Sequence, residues 1–365
     1  MSAKLMQIQG IRALAMLGIF IAHITMWLPD ALSQFVPLAL RLGGAGAATF
    51  FIISGFLLAY KHKTIPIISK RNVVRAAWKK AGKMYVLYII TIFVCLASRL
   101  PSSAYDWLVT SIYLIFHVTL TQDFIPFAAL INSFNAPAWF LSAFFGIWIL
   151  IYMFPRAINA MMDISVRQCV VWIAALMATQ LLWMLLVKYG ISVILPKRYL
   201  AWCHCWLVYN NPIICFSEFC IGVLLGRFCA QKQMSVKSQN LIALLMSSVV
   251  VAYAIAITKS IIKPTVAVMV IAECLACAGI LAVMSPKSIG YKMLSTRALV
   301  WFGNVSGYFF LIHTAVIFMM RIISGYVCSG WLILISFTVS ALLASCAAYV
   351  YELTQNNKKT NVIIV

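Results

Sequence analysis

The first apolar run of this chain carries two ionisable side chains, Arg12 and His23, spaced eleven residues apart. On a helix, that spacing brings them within about 20° of one another and about 16 Å apart along the axis. An ionisable group inside hydrocarbon is costly, so each is a candidate for function. A neutral imidazole can accept or relay a proton, so His23 is a candidate for function, its structural alternative being a single internal hydrogen bond. Arg12 can hold an anion or snorkel to the interface. Ser54, next to Gly55 in a second run, can pack helices, orient His23 or donate to a developing oxyanion. Ser306 and His313 share a helical face in a later run and read as residues that shape a cavity. The buried acids Glu218 and Glu273 can offset a cation or complete a polar cavity.

The elements that position these groups are membrane spans. Hydrophobic residues make up 64% of the chain and charged residues 10%, far from the composition of a soluble domain. Apolar runs near 10–28, 43–60, 83–98, 138–155, 168–187, 211–230, 240–257, 264–284, 299–320 and 331–351 each approach the roughly 20 residues a span requires. The expected fold is an all-α polytopic bundle of about ten transmembrane helices, one membrane domain over 1–365. The run at 107–122 is shorter and is expected as a non-spanning or re-entrant segment facing outside.

Charge bias orients the bundle. The formal net charge is +21, and the densest basic stretch, at 61–83, contains Lys61, Lys63, Lys70, Arg71, Arg75, Lys79, Lys80 and Lys83. Taking Lys4 and this stretch as cytoplasmic puts both termini inside, with a cytoplasmic tail at 352–365. Topology thus accounts for the basic excess, and no segment resembles a nucleic-acid module. Cys203-His204-Cys205 lacks the usual metal-ligand spacing, so the triplet reads as aromatic-rich loop packing and no metal is expected. The first run contains Arg12 and His23 and lacks a small-residue cleavage site, so it reads as a retained span.

Several motifs, in order, resemble the acyltransferase-3 family of multispanning membrane enzymes. Gln9-Gly10-Ile11-Arg12-Ala13-Leu14-Ala15 is similar to the family's D-G-L-R-A-L-A, and Arg12 and His23 match its R-x10-H spacing. Phe50 to Phe56 carries F-F-x-x-S-G-F, and Lys80 to Tyr85 resembles R-x-x-R-x-Y-P. Ala138-Trp139-Phe140-Leu141-Ser142 resembles the W-F-L-S element, Phe219 to Gly226 resembles F-x-x-G-x-x-x-G, and Gly303 to His313 resembles G-x-x-S-Y-x-x-Y-L-I-H. The chain departs from these patterns at Lys80, Lys83, Val86, Gln9, Ala143-Phe144 and Phe309-Phe310. Lysine for arginine keeps the charge and loses the bidentate fork.

The resemblance implies transfer of an acyl group, usually acetyl, from acetyl-CoA onto a hydroxyl of a cell-envelope glycan. It places the protein in the bacterial cytoplasmic (inner) membrane, among lipids. Lys80, Lys83, Arg71 and Arg75 are the expected binders of the acyl-CoA phosphates, with Arg12 adding to that site. His23, Arg12 and Ser54 form the expected catalytic group, and Ser306, His313, Trp139 and Glu218 support the cavity. The expected acceptor is a lipid-linked or surface polysaccharide such as O-antigen, with peptidoglycan and glucan as other acceptors. The rival reading is a transporter or flippase of a lipid-linked glycan. It lacks the paired broken helices in repeated halves that transporters often show.

Overall fold

A backbone in hydrocarbon must satisfy its own N–H and C=O groups, and this chain does so with helices alone among its described residues. The computed structural model describes residues 5–25, 35–97, 103–259, 268–325 and 330–363. The helices are α1 (Met6–Thr25), α2 (Val36–Lys61), α3 (Val73–Ala81), α4 (Tyr85–Ala97), α5 (Ala104–Val118) and α6 (Ala128–Ile131). Next come α7 (Trp139–Met153), α8 (Pro155–Met161), α9 (Val166–Leu186), α10 (Ser192–Ile194), α11 (Lys197–Cys205) and α12 (Pro212–Gln231). The others are α13 (Val236–Thr258), α14 (Val268–Ala282), α15 (Ile289–Leu294), α16 (Arg297–Ile323) and α17 (Gly330–Ile363).

Among the described residues, nine helical stretches are long and apolar enough to cross a membrane, one fewer than expected. The expected run at 264–284 is described only from Val268 onward, as the 15-residue α14. Lys4, Lys263 and the span edges at 26–28, 98 and 264–267 lie outside the described residues.

Within the basic stretch 61–83, α3 and its flanking 3-10 turns run from Lys70 to Met84. The apolar residues Val73, Ala77 and Ala81 recur every four residues and are buried, while Arg71 and Arg75 are exposed. Cys203-His204-Cys205 ends helix α11 and is not part of a loop. Beyond the expected span, α17 continues in helical form to Ile363.

Helix α2 is the centre of the bundle, packed against α1, α12 and α14, while α16 packs between α1 and α17. Two-thirds of its apolar window (67%) is buried, against 6% for α13, which marks α13 as a lipid-facing element. The α2–α12 crossing depends on absent side chains. A Cβ on Gly55 would overlap the Phe219 carbonyl oxygen, and one on Gly222 would overlap that of Ile52. Close backbone approach through small residues is how helices pack where lipid removes the hydrophobic incentive.

The chain after α5 folds back into this bundle. The buried ring of His117 donates through Nε2 to the Leu130 carbonyl at 2.9 Å, so its Nδ1 accepts from the Tyr88 hydroxyl at 2.9 Å. Leu120 then takes a left-handed φ of 56°, strained for a leucine, and Ser142 Oγ donates to its carbonyl at 2.8 Å. Asn135 Nδ2 donates to the Leu311 carbonyl at 2.8 Å, which ties the segment to α16.

Gly222→Val should force α2 and α12 apart and cost on the order of 1–3 kcal/mol. An unchanged thermal midpoint of the detergent-solubilised protein would refute that packing. Burial pushes the His117 imidazole down to about 4. Its charged form is therefore disfavoured on folding, and the unfolded chain binds more protons below about pH 6.5. Its contribution should be complete above that pH and fall by on the order of 3 kcal/mol as pH drops towards 4. The difference in stability between wild type and His117→Gln, measured by denaturation across that range, should shrink on acidification.

Candidate active site

Two cavities lie along the line from Arg12 to His23. The first, about 480 Å³, is lined by Arg12 of α1, Ser54 of α2, Lys80 of α3, Lys83, Trp148 of α7, and Asn304 and Tyr308 of α16. Arg12 Nη1 donates to Gln9 Oε1 at 3.3 Å, and the guanidinium lies 5.7 Å from the Phe50 ring centroid. Its Nε is buried without a partner. Lys80 Nζ stands 4.6 Å from the centroid of a Trp148 ring. Among the described residues no carboxylate lines this cavity, so its three cations are set to receive an anion.

The second cavity, about 290 Å³, is lined by His23, Arg41, Asn132, Trp139, Tyr209 and Asn210 among others. Phe310 of α16 lines both cavities and packs 5.4 Å from Phe140, a wall residue of the first. Among the described residues, Phe310 is the one lining residue that the two cavities share.

A hydrogen-bond chain fixes the tautomer of His23. The Phe309 carbonyl can only accept, so His313 Nδ1 carries the proton that reaches it at 3.1 Å. His313 Nε2 is then an acceptor in the neutral ring, and it lies 3.3 Å from His23 Nδ1. His23 Nδ1 also meets the Ile19 carbonyl at 2.8 Å, so it too carries its proton. That leaves the lone pair on His23 Nε2, the atom a general base or nucleophile requires.

The structure brings together His23, His313 and Trp139 on one side, and Arg12, Ser54, Lys80 and Lys83 on the other. Ser54 donates to Phe50 of its own helix at 2.7 Å and shares its cavity with Arg12, not with His23. Arg71 and Arg75 are exposed on the outer side of the 70–81 stretch and do not line the cationic cavity. Ser306 is buried and donates to the Gly303 carbonyl at 2.8 Å, and Glu218 is buried in α12; neither lines either cavity. Glu273 is wholly buried, and both its carboxyl oxygens lack a hydrogen-bond partner. Among the described residues, no cluster of His, Cys, Asp and Glu could hold a metal ion.

Arg41, Trp148, Asn304 and Tyr308 line the cavities without having been singled out from the sequence. For Arg41 a signal existed. Starting α2 at 43 left an arginine just outside the apolar run, although the helix begins at Val36 with Pro37 in its first turn.

Residues 7–350 match the family described as an acyltransferase domain, acyltransferase-3. The chain belongs to that family. It is also similar to the protein named Acyltransferase MdmB from Streptomyces mycarofaciens, 27% identical over 241 residues. That alignment covers 61% of this chain and 57% of the relative, so the chain spans just over half the length of the relative it matches. No solved structure matches.

His313→Leu removes the acceptor that faces His23 Nδ1 and loosens the imidazole. Acyl transfer should fall on the order of 10²-fold, with the amount of protein in the membrane unchanged. Full activity of that variant would show that His23 needs no such support.

Proposed function

We propose that this protein is a membrane O-acetyltransferase that moves acetyl from acetyl-CoA onto a hydroxyl of a bacterial surface polysaccharide such as O-antigen. The observation that carries this reading is the pairing of a cationic cavity, with no carboxylate among its described lining residues, with a second cavity that holds His23 and shares Phe310 with the first. Phosphates of the donor would pair with Lys80, Lys83 and Arg12, while its long arm passes Phe310 toward His23. His23 Nε2 then takes the proton of the acceptor hydroxyl as the oxygen attacks the thioester carbonyl. The carbon–sulfur bond breaks, an ester forms, and the CoA thiolate leaves and takes up a proton.

On this reading, the chain is one domain in the bacterial inner membrane with both termini cytoplasmic. The Lys80 side faces the acyl-CoA pool, and the acceptor reaches the opposite side on a lipid carrier or as surface glycan.

Isolated membranes supplied with labelled acetyl-CoA should transfer label to glycan. His23→Ala should abolish that transfer with insertion unchanged, a loss on the order of 10²-fold or more. Neutralising Lys80 and Lys83 together should raise the KM for acetyl-CoA while changing kcat little. Glycan that crosses membranes without gaining label would instead favour the transporter reading.

A further inference from the structure

Arg41 has no role in donor binding or in the histidine pair, yet its side chain lines the cavity of His23. Its position follows from the helix: α2 runs antiparallel to α1, so the Val36 end of α2 lies beside His23 and the Lys61 end beside Arg12. Gly43 touches Ala22 at this end, which brings the neighbouring turn of α2 against the histidine. Arg41 forms no hydrogen bond or ion pair with any described residue, and its Nε is buried without a partner. Among the described residues, no carboxylate lines the cavity around it. A guanidinium partly removed from water, with no hydrogen-bond or ion-pair partner among the described residues, is favoured by an arriving anion.

The rest of the wall fits a sugar. Trp139 and Tyr209 present aromatic rings with centroids 4.9 Å apart, and Asn132 and Asn210 add amides. A volume near 290 Å³ lies at the small end of ligand pockets, room for about one sugar residue. We infer that this cavity is the acceptor subsite, and that Arg41 selects an acceptor sugar bearing an anionic group, a phosphate or a carboxylate, close to the hydroxyl that faces His23. The inference deepens the proposed acetyl transfer to a glycan by assigning the acceptor its charge. The guanidinium fork suits both anions, since each offers two oxygens in a plane.

The test measures binding rather than turnover, so it stands or falls apart from the transferase reading. The full chain in phosphatidylcholine nanodiscs is equilibrated with labelled glucuronate, glucose 1-phosphate or glucose. Wild type should bind at least one of the two anionic sugars ten-fold or more tighter than glucose, and which one distinguishes carboxylate from phosphate. Arg41→Gln should bring that sugar to the level of glucose, and Arg41→Lys should retain part of the preference. Acetyl-CoA binding, measured on the same samples, should be equal in all three proteins and so verifies their fold. Equal binding of all three sugars by wild type, no binding of any, or an anionic preference that survives in Arg41→Gln would overturn the assignment. Acetyl transfer could fail in membranes while Arg41-dependent sugar binding persists, and the reverse, so the two readings are separable.

Discussion

Backbone contact at glycine sets the geometry on which everything else in this protein rests. Between helices in hydrocarbon, no water is released on contact, so close packing must supply the attraction. Gly55 and Gly222 let α2 and α12 touch through their carbonyl oxygens, and Gly303 lets α16 approach the Gln9 carbonyl of α1 in the same way. The second contact has a chemical consequence. It seats α16 against α1 closely enough for His313 to reach His23, 290 positions away in sequence.

The two cavities divide the work that one helix advertises. Arg12 and His23 sit about three turns apart on α1, and each is completed by other elements. Lys80 and Lys83 join Arg12, whereas His313 orients His23 and Arg41 shares its cavity. Phe310, which packs against Phe140, is the lining residue that the two cavities share.

Arg71 and Arg75 show how periodicity outranks proximity in sequence. They belong to the same basic stretch as Lys80 and Lys83, and charge counting treats all four alike. Once residues 70–84 coil into helix, Val73, Ala77 and Ala81 take the buried side, and the two arginines are turned away from the cavity. Ser54 illustrates a different limit. Its proximity to a chemically suggestive glycine was real, but a serine in a helix can satisfy itself on the preceding turn, and this one does.

Composition and run length by themselves determined that the chain is an all-helical membrane bundle, because hydrocarbon admits few alternatives and span length is a local property. The positions of Arg12 and His23 on one face of α1 were equally legible, since helical periodicity needs no partner. The partners of those residues were not. The pairing of His313 with His23, the entry of Arg41 into that cavity and the exclusion of Ser306 depend on which helices touch and at what depth. Those contacts are decided by small residues hundreds of positions apart, and only the assembled bundle brings them together.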